Sequence, residues 1–131
     1  MSKTDTNYLA IDYGTKKSWL AYSVGIFAFP WETVPTKGLF ENLPKLLAEK
    51  KASAIVLGLP YHIDGSISPH GQRVLAFARR IDTELGIDIF LHDERLTSSE
   101  ATIFFEENRI DGEIDTEAAR LILEGFLEMD R

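Results

Sequence analysis

Tyr8-Leu9-Ala10-Ile11-Asp12-Tyr13-Gly14-Thr15-Lys16-Lys17-Ser18-Trp19-Leu20-Ala21-Tyr22-Ser23-Val24 decides how this chain folds. Tyr8 to Ile11 is a short buried-strand pattern, Asp12 to Lys17 is a turn, and Ser18 to Val24 is a second strand. Gly25 then separates it from a third strand, Ile26 to Val34. Connections this short join antiparallel neighbours, so the chain opens as a three-stranded meander.

Beyond the meander the pattern alternates between helix and strand. Gly38 to Lys51 carries Leu39, Leu43, Leu46 and Leu47 at helical spacing, and Ala54-Ile55-Val56-Leu57 is a central-strand run ending at Gly58-Leu59-Pro60. Tyr61 to Ser68 reads as a loop with Asp64-Gly65 as its turn signal. Ser68-Pro69 supplies an N-cap and a first-turn proline for a helix to about Leu85, with Val74, Phe77, Ile81 and Leu85 on its apolar face. Gly86 stops it before a strand from Ile87 to His92. Thr97 and Glu100 form a capping box for a helix to about Asn108. A last helix starts near Asp115 and is expected to bury Ala118, Ala119, Ile122, Phe126 and Met129. The expected architecture is one α/β domain over residues 1–131. Its sheet is mixed and five-stranded, three antiparallel strands followed by two parallel ones, with helices on its faces.

The chain has 131 residues, 44% of them hydrophobic, which suits a single core of ordinary size. It has no cysteine, which excludes disulfides, thiolate metal sites and thiol nucleophiles. No apolar run approaches the roughly 20 residues of a membrane span. Met1 to Asn7 lacks an apolar signal region, so a cytoplasmic chain with no membrane partner is expected. The net charge of −7, from 14 basic and 21 acidic residues, argues against charge-driven, non-specific adhesion to nucleic acid. Local basic candidates are Lys16-Lys17, Arg73, Arg79-Arg80 and Arg95, with a solvated face as the simpler reading of Arg79-Arg80.

Three segments set carboxylates where an apolar element begins or ends: Asp12 after the first strand, Asp93-Glu94-Arg95-Leu96-Thr97 after the fifth, and Ile114-Asp115-Thr116-Glu117-Ala118 at the last helix. Gathered carboxylates repel unless a cation lies between them, and Mg²⁺ or Mn²⁺ bound this way leaves positions for water and phosphate oxygens. The first and fifth strands end at one sheet edge, where ligands of α/β sheets collect. Asp115 reaches that edge only if the last helix begins there. Each residue also has a plainer role. Asp115 suits an N-cap, Asp12 a turn acid, Glu94 a surface ion pair, and Thr97 a helix cap. Asp93 competes with Glu94, because adjacent strand side chains point to opposite faces. Lys16 and Arg95 are placed to neutralise phosphate oxygens. The histidines His62, His70 and His92 lack the spacing of a helical metal motif.

Leu9-Ala10-Ile11-Asp12-Tyr13-Gly14-Thr15-Lys16-Lys17, Val56-Leu57-Gly58-Leu59-Pro60 with Asp64-Gly65-Ser66, Gln72-Arg73-Val74 with Phe77-Ala78, Asp93 to Thr97, and Ile114-Asp115 with Ala118-Ala119 and Leu121-Ile122-Leu123 occur in this order. Together they resemble the YqgF (RuvX-like) family of Holliday-junction resolvases and pre-16S ribosomal RNA nucleases over nearly the whole chain. The resemblance implies a ribonuclease H-like fold and Mg²⁺- or Mn²⁺-dependent phosphodiester hydrolysis, with Asp12, Glu94 and Asp115 as the matching acids. It also implies a nucleic-acid partner, either structured precursor ribosomal RNA, met alone or in an assembling ribosomal particle, or branched DNA cut by a homodimer. The chain departs from the family at Tyr13 for a frequent proline, at Trp19 for a glycine, and at His62 for an asparagine in a substrate-contacting loop. Packing is the simpler role for Trp19 and Trp31. Two other classes compete with the nuclease. A kinase-like phosphate binder is suggested by Asp12-Tyr13-Gly14-Thr15, but it needs a second lobe that 131 residues do not accommodate. A non-catalytic nucleic-acid or ribosome-binding module would bind no metal at the acids.

Overall fold

A computed structural model describes residues 5–62, 64–93 and 113–129, with side chains from Glu117 onward in the last segment. The elements are β1 (Tyr8–Asp12), β2 (Lys17–Val24), β3 (Phe27–Pro35), α1 (Leu39–Glu49), β4 (Ala54–Leu59), α2 (Pro69–Leu85), β5 (Asp88–Asp93) and α3 (Glu113–Glu128). The strands form one sheet in the order β3-β2-β1-β4-β5. β1 is antiparallel to β2, with Asp12 opposite Trp19, and parallel to β4, with Ile11 beside Leu57. β4 and β5 are also parallel. This is the mixed sheet expected from the sequence, three antiparallel strands and then two parallel ones.

β1 and β4 carry almost no polar residues because both of their faces are covered. Leu9, Ile11, Ile55 and Leu57 point to one face, where they pack with Leu43 and Leu47 of α1 and Val74 and Ile81 of α2. Tyr8, Ala10, Ala54 and Val56 point to the other, under Ala119, Ile122, Leu123, Phe126 and Leu127 of α3. Small side chains at Ala10, Ala21, Ala54 and Ala119 let α3 approach the sheet closely.

α2 begins and ends as its sequence dictates. The Ser68 hydroxyl accepts the Gly71 N–H at 2.9 Å, Pro69 occupies the first turn, and Gly86 closes the helix at φ 64°. Arg80 lies on the exposed face, paired with Glu84 and stacked 3.8 Å above the Phe40 ring, as the solvated reading anticipated.

Two expectations for the last helix need correction. It runs from Glu113, so Asp115 lies inside its first turn and not at the N-cap. Its buried stripe is Ala119, Ile122, Leu123, Phe126 and Leu127, whereas Ala118 is half-buried and Met129 is 43% exposed. Spacings of three and four from Ala119 keep the stripe on one helix face, and Met129 falls off it. The helix expected between Thr97 and Asn108 lies outside the described residues.

Phe126 clamps the end of α3 to the sheet, edge-on to Tyr8 at 5.1 Å and tilted against Phe90 at 5.2 Å. Phe126→Ala is expected to lower stability by about 3–5 kcal/mol, the range for emptying an aromatic site in a packed interior. Urea unfolding followed by far-ultraviolet circular dichroism measures it, and a loss below about 1 kcal/mol would show that this ring does not anchor α3.

Candidate functional site

Asp12 is the last residue of the central strand and is half-buried. Alternation along β1 turns it to the α3 face with Tyr8 and Ala10. The register puts Gly58 of β4 next to Asp12 and His92 of β5 beyond Gly58, so no side chain from β4 intrudes between them. Asp93 belongs to the opposite face, because Ile89 packs with the α1–α2 core while Phe90 meets Tyr8 and Phe126. Among the acids considered for the strand edge, Asp93 is thus turned away from Asp12.

Near its C-terminal end α3 is anchored by Phe126 to Tyr8 at the start of β1, and it also packs against β2 and β3. Stepping back from Phe126 to Asp115 covers about 16 Å of helix, against about 13 Å from Tyr8 to Asp12 along the strand. The helix is thus long enough to span the distance from the start of β1 to Asp12.

After Asp12 the chain is held by a closed set of hydrogen bonds. Thr36 Oγ1 donates to the Gly14 carbonyl at 2.7 Å, and the Gly14 N–H donates to Ser18 Oγ at 3.3 Å. The two hydroxyl oxygens are 2.7 Å apart. Since the Thr36 proton is committed to Gly14, Ser18 is the donor between them. The Thr36 N–H also reaches the Lys16 carbonyl at 2.9 Å. A side chain on Gly14 would put its Cβ 2.1 Å from the Lys17 carbonyl oxygen, so only glycine fits. From α2, His70 Nε2 donates to the Tyr13 carbonyl at 2.6 Å, and its ring stacks on Tyr13 at 6.2 Å. Tyr13 in turn lies against Phe77, with centroids 4.6 Å apart.

Gly14, Thr15, Lys16, Lys17, Trp19 and His70 line an open concavity of about 450 Å³ beside this turn. Lys16 and Lys17 are exposed on its rim. Trp19, opposite Asp12, packs partly into the α3 core, and Trp31 partly into the other core. Both tryptophans have the packing role expected of them. His62 is exposed in the loop after β4, which is closed by a Tyr61–Ile67 bridge and by Ser66 donating to Asp64.

Asp12, the turn that carries Lys16 and the loop that carries His62 lie at the edge where the parallel strands β1 and β4 end. Glu94 and Arg95 lie outside the described residues, as does the side chain of Asp115. Among the described residues, no three histidine or carboxylate side chains form a metal-binding group. The sequence reading missed Ser18, Thr36 and His70 as turn-holding residues. No periodicity marks a hydroxyl that acts across 18 positions or an imidazole across 57.

Ser18→Ala leaves the Gly14 N–H and the Thr36 hydroxyl without their partner and is expected to cost about 1–3 kcal/mol in urea unfolding. Gly14→Ala should also change the near-ultraviolet signal of Trp19, whose ring is 3.1 Å from the added carbon. An unchanged midpoint in the first variant and an unchanged Trp19 signal in the second would show that the turn is not held this way.

A family model described as "RuvX: Holliday junction resolvase" matches residues 6–129. Relatives named "Putative pre-16S rRNA nuclease" include one from Lawsonia intracellularis, 34% identical over 92% of each chain. One from Alcanivorax borkumensis is 35% identical over 93% of this chain and 96% of its own. Another, from Opitutus terrae, is 38% identical over 92% and 90%. Among solved structures, T. thermophilus RuvC in complex with Holliday junction substrate superposes with a TM-score of 0.60, covering 95% of this chain and 96% of that one at 13% identity. That likeness gives the fold as RuvC-like, within the ribonuclease H-like class. With a family match spanning nearly all of its length, the chain belongs to the RuvX family.

Proposed function

We propose that this chain is a single-domain, Mg²⁺- or Mn²⁺-dependent nuclease over residues 1–131, with Asp12, Glu94 and Asp115 holding the cations. What supports the reading is half-buried Asp12 at the end of the central strand, beside the braced turn that carries Lys16. Carboxylate oxygens are hard donors that suit these ions, and a half-buried aspartate on the central strand is a rigid mount. When bound, the cations supply an activated water and charge stabilisation at the scissile phosphate. The opposite facing of Asp93 favours its neighbour Glu94 as the acid that works with Asp12.

The chain's own residues then bind and orient the substrate. Lys16, on the turn held by Ser18 and Thr36, and Arg95 offer positive charge to non-bridging phosphate oxygens, Arg95 through a two-pronged contact. His62, in the loop beyond β4, contacts the substrate where the family commonly has an asparagine. The positive end of the α3 helix dipole favours negative charge near it.

The substrate we favour is the 5′ region of pre-16S ribosomal RNA, bound alone or within an assembling ribosomal particle in the cytoplasm, because relatives at 34–38% identity carry that name. Among the described residues no helix is long and apolar enough to cross a membrane. A Holliday junction cut by a homodimer is the second reading, favoured by the family description. It requires two active sites related by symmetry.

Asp12→Asn is expected to fold and to lose cleavage of precursor RNA by roughly a hundredfold or more, since even outer partners of metal ligands cost 10–100-fold. Activity within threefold of the parent at saturating Mg²⁺ would overturn its role. Glu94→Gln should behave like Asp12→Asn, and Asp93→Asn should be milder. Asp115→Ser keeps a helix-compatible residue while removing a charge, so Mn²⁺ titration calorimetry should show weakened binding with the thermal midpoint nearly unchanged. Symmetric cutting of four-way DNA junctions with precursor RNA left intact would select the resolvase. Absence of metal binding at the acids would select a non-catalytic binding module.

A further inference from the structure

Four of the seven large apolar side chains that stand exposed among the described residues fall within six positions of the β2–β3 hairpin: Val24, Ile26, Phe27 and Phe29. Such clustering marks an interaction surface more often than chance exposure does. The rings form a continuous ladder. Phe27 is 6.5 Å from Phe29, Phe29 is stacked on Tyr22 at 5.4 Å, and Tyr22 meets the edge of Trp31 at 6.2 Å. Trp31 leans on the core, but Phe27, at 63% exposure, and Phe29 belong to neither core cluster. Lys50 covers the inner end, its ammonium 4.2 Å from the Tyr22 ring centre and 4.6 Å from that of Trp31. Exposed Lys51 follows it.

This combination has a specific chemical fit. Side chains two apart on a strand repeat at a spacing close to that of successive bases in an extended single strand, and exposed rings beside ammonium groups are how such strands are held. The nearby carboxylates of Glu32 and Glu49 line the groove between β3 and α1 and not the ladder. Pro30 and Pro35 withhold two backbone donors from this edge strand, so the addition of a strand from another chain is a poorer fit.

We propose that Phe27 and Phe29 are a stacking platform for unpaired bases of an RNA substrate, with Lys50 and Lys51 taking the adjoining phosphates. The inference rests on the nucleic-acid reading of the active site and adds a second contact region to it. The Val24–Phe27 pair lies five residues along β2 from Trp19, about 17 Å from the Asp12 end, and on the opposite face of the sheet. The platform therefore grips a flanking single strand and not the bond that is cut.

The test is fluorescence anisotropy of a short fluorescein-labelled oligoadenylate with the full chain in chelator, where cleavage plays no part. Phe27→Ser and Phe27→Leu should each weaken binding fivefold or more, because both lack a π face, while Phe27→Trp should retain it. Far-ultraviolet circular dichroism checks that each variant is folded. The proposal is overturned if the parent does not bind the oligonucleotide or if Phe27→Leu binds as the parent does. It is equally overturned if sedimentation shows that Phe27→Ser only dissolves a dimer, which would make the patch a protein interface. Asp12→Asn cleavage assays report on the active-site reading alone, so the two failures are distinguishable.

Discussion

Burial of β1 and β4 on both faces is the constraint on which the rest of the molecule depends. Leu9, Ile11, Ile55 and Leu57 have no solvent exposure, and neither do Ala10 and Val56 on the other face. A parallel pair of this kind needs cover on both sides, and α1 with α2 supplies one cover while α3 supplies the other. The Phe126–Tyr8–Phe90 contact then fixes where the C-terminal end of α3 sits on the sheet.

The turn after Asp12 shows how that edge is kept in shape. A tight turn leaves backbone groups that helix and sheet do not satisfy, and here buried Ser18 and half-buried Thr36 take them up. His70 ties the same turn to α2 through the Tyr13 carbonyl. The turn is therefore braced from β2, from the segment after β3 and from α2. Substitution of the family's frequent proline by Tyr13 is compatible with this arrangement, since the Tyr13 ring fills the space between His70 and Phe77.

Legibility in the sequence divides along the range of the interaction. α2 was readable nearly to the residue, because Ser68, Pro69 and Gly86 act within one turn of the helix ends. The five strands were readable because their apolar runs are short and bounded by turn residues. The buried face of α3 was misjudged by part of a turn, as Ala118 and Met129 are apolar but do not share the stripe of Leu123 and Leu127. Of the site, Asp12 and Asp115 could be recognised as candidates, but where α3 lies on the sheet depends on tertiary contacts over more than a hundred residues. The Ser18–Thr36 bond was invisible for the same reason.

Charge near the site follows the same logic of commitment. Arg120 stands about two turns beyond the start of α3 and could be mistaken for a substrate contact. Its Nε and Nη2 go to Glu117 and its Nη1 to Glu124. Its hydrogen bonds to Glu117, aided by the charge of both carboxylates against the effect of burial, raise its pKa further, so the guanidinium is permanently charged and already neutralised. A pair of carboxylates on one arginine leaves this stretch with net negative charge. On the proposed reading, positive charge for a phosphodiester comes instead from exposed Lys16 and Lys17 and from the cations that Asp12 would help to hold. For a chain with 14 basic and 21 acidic residues, the proposed binding of a polyanion would depend on metal ions to offset the repulsion of its acids.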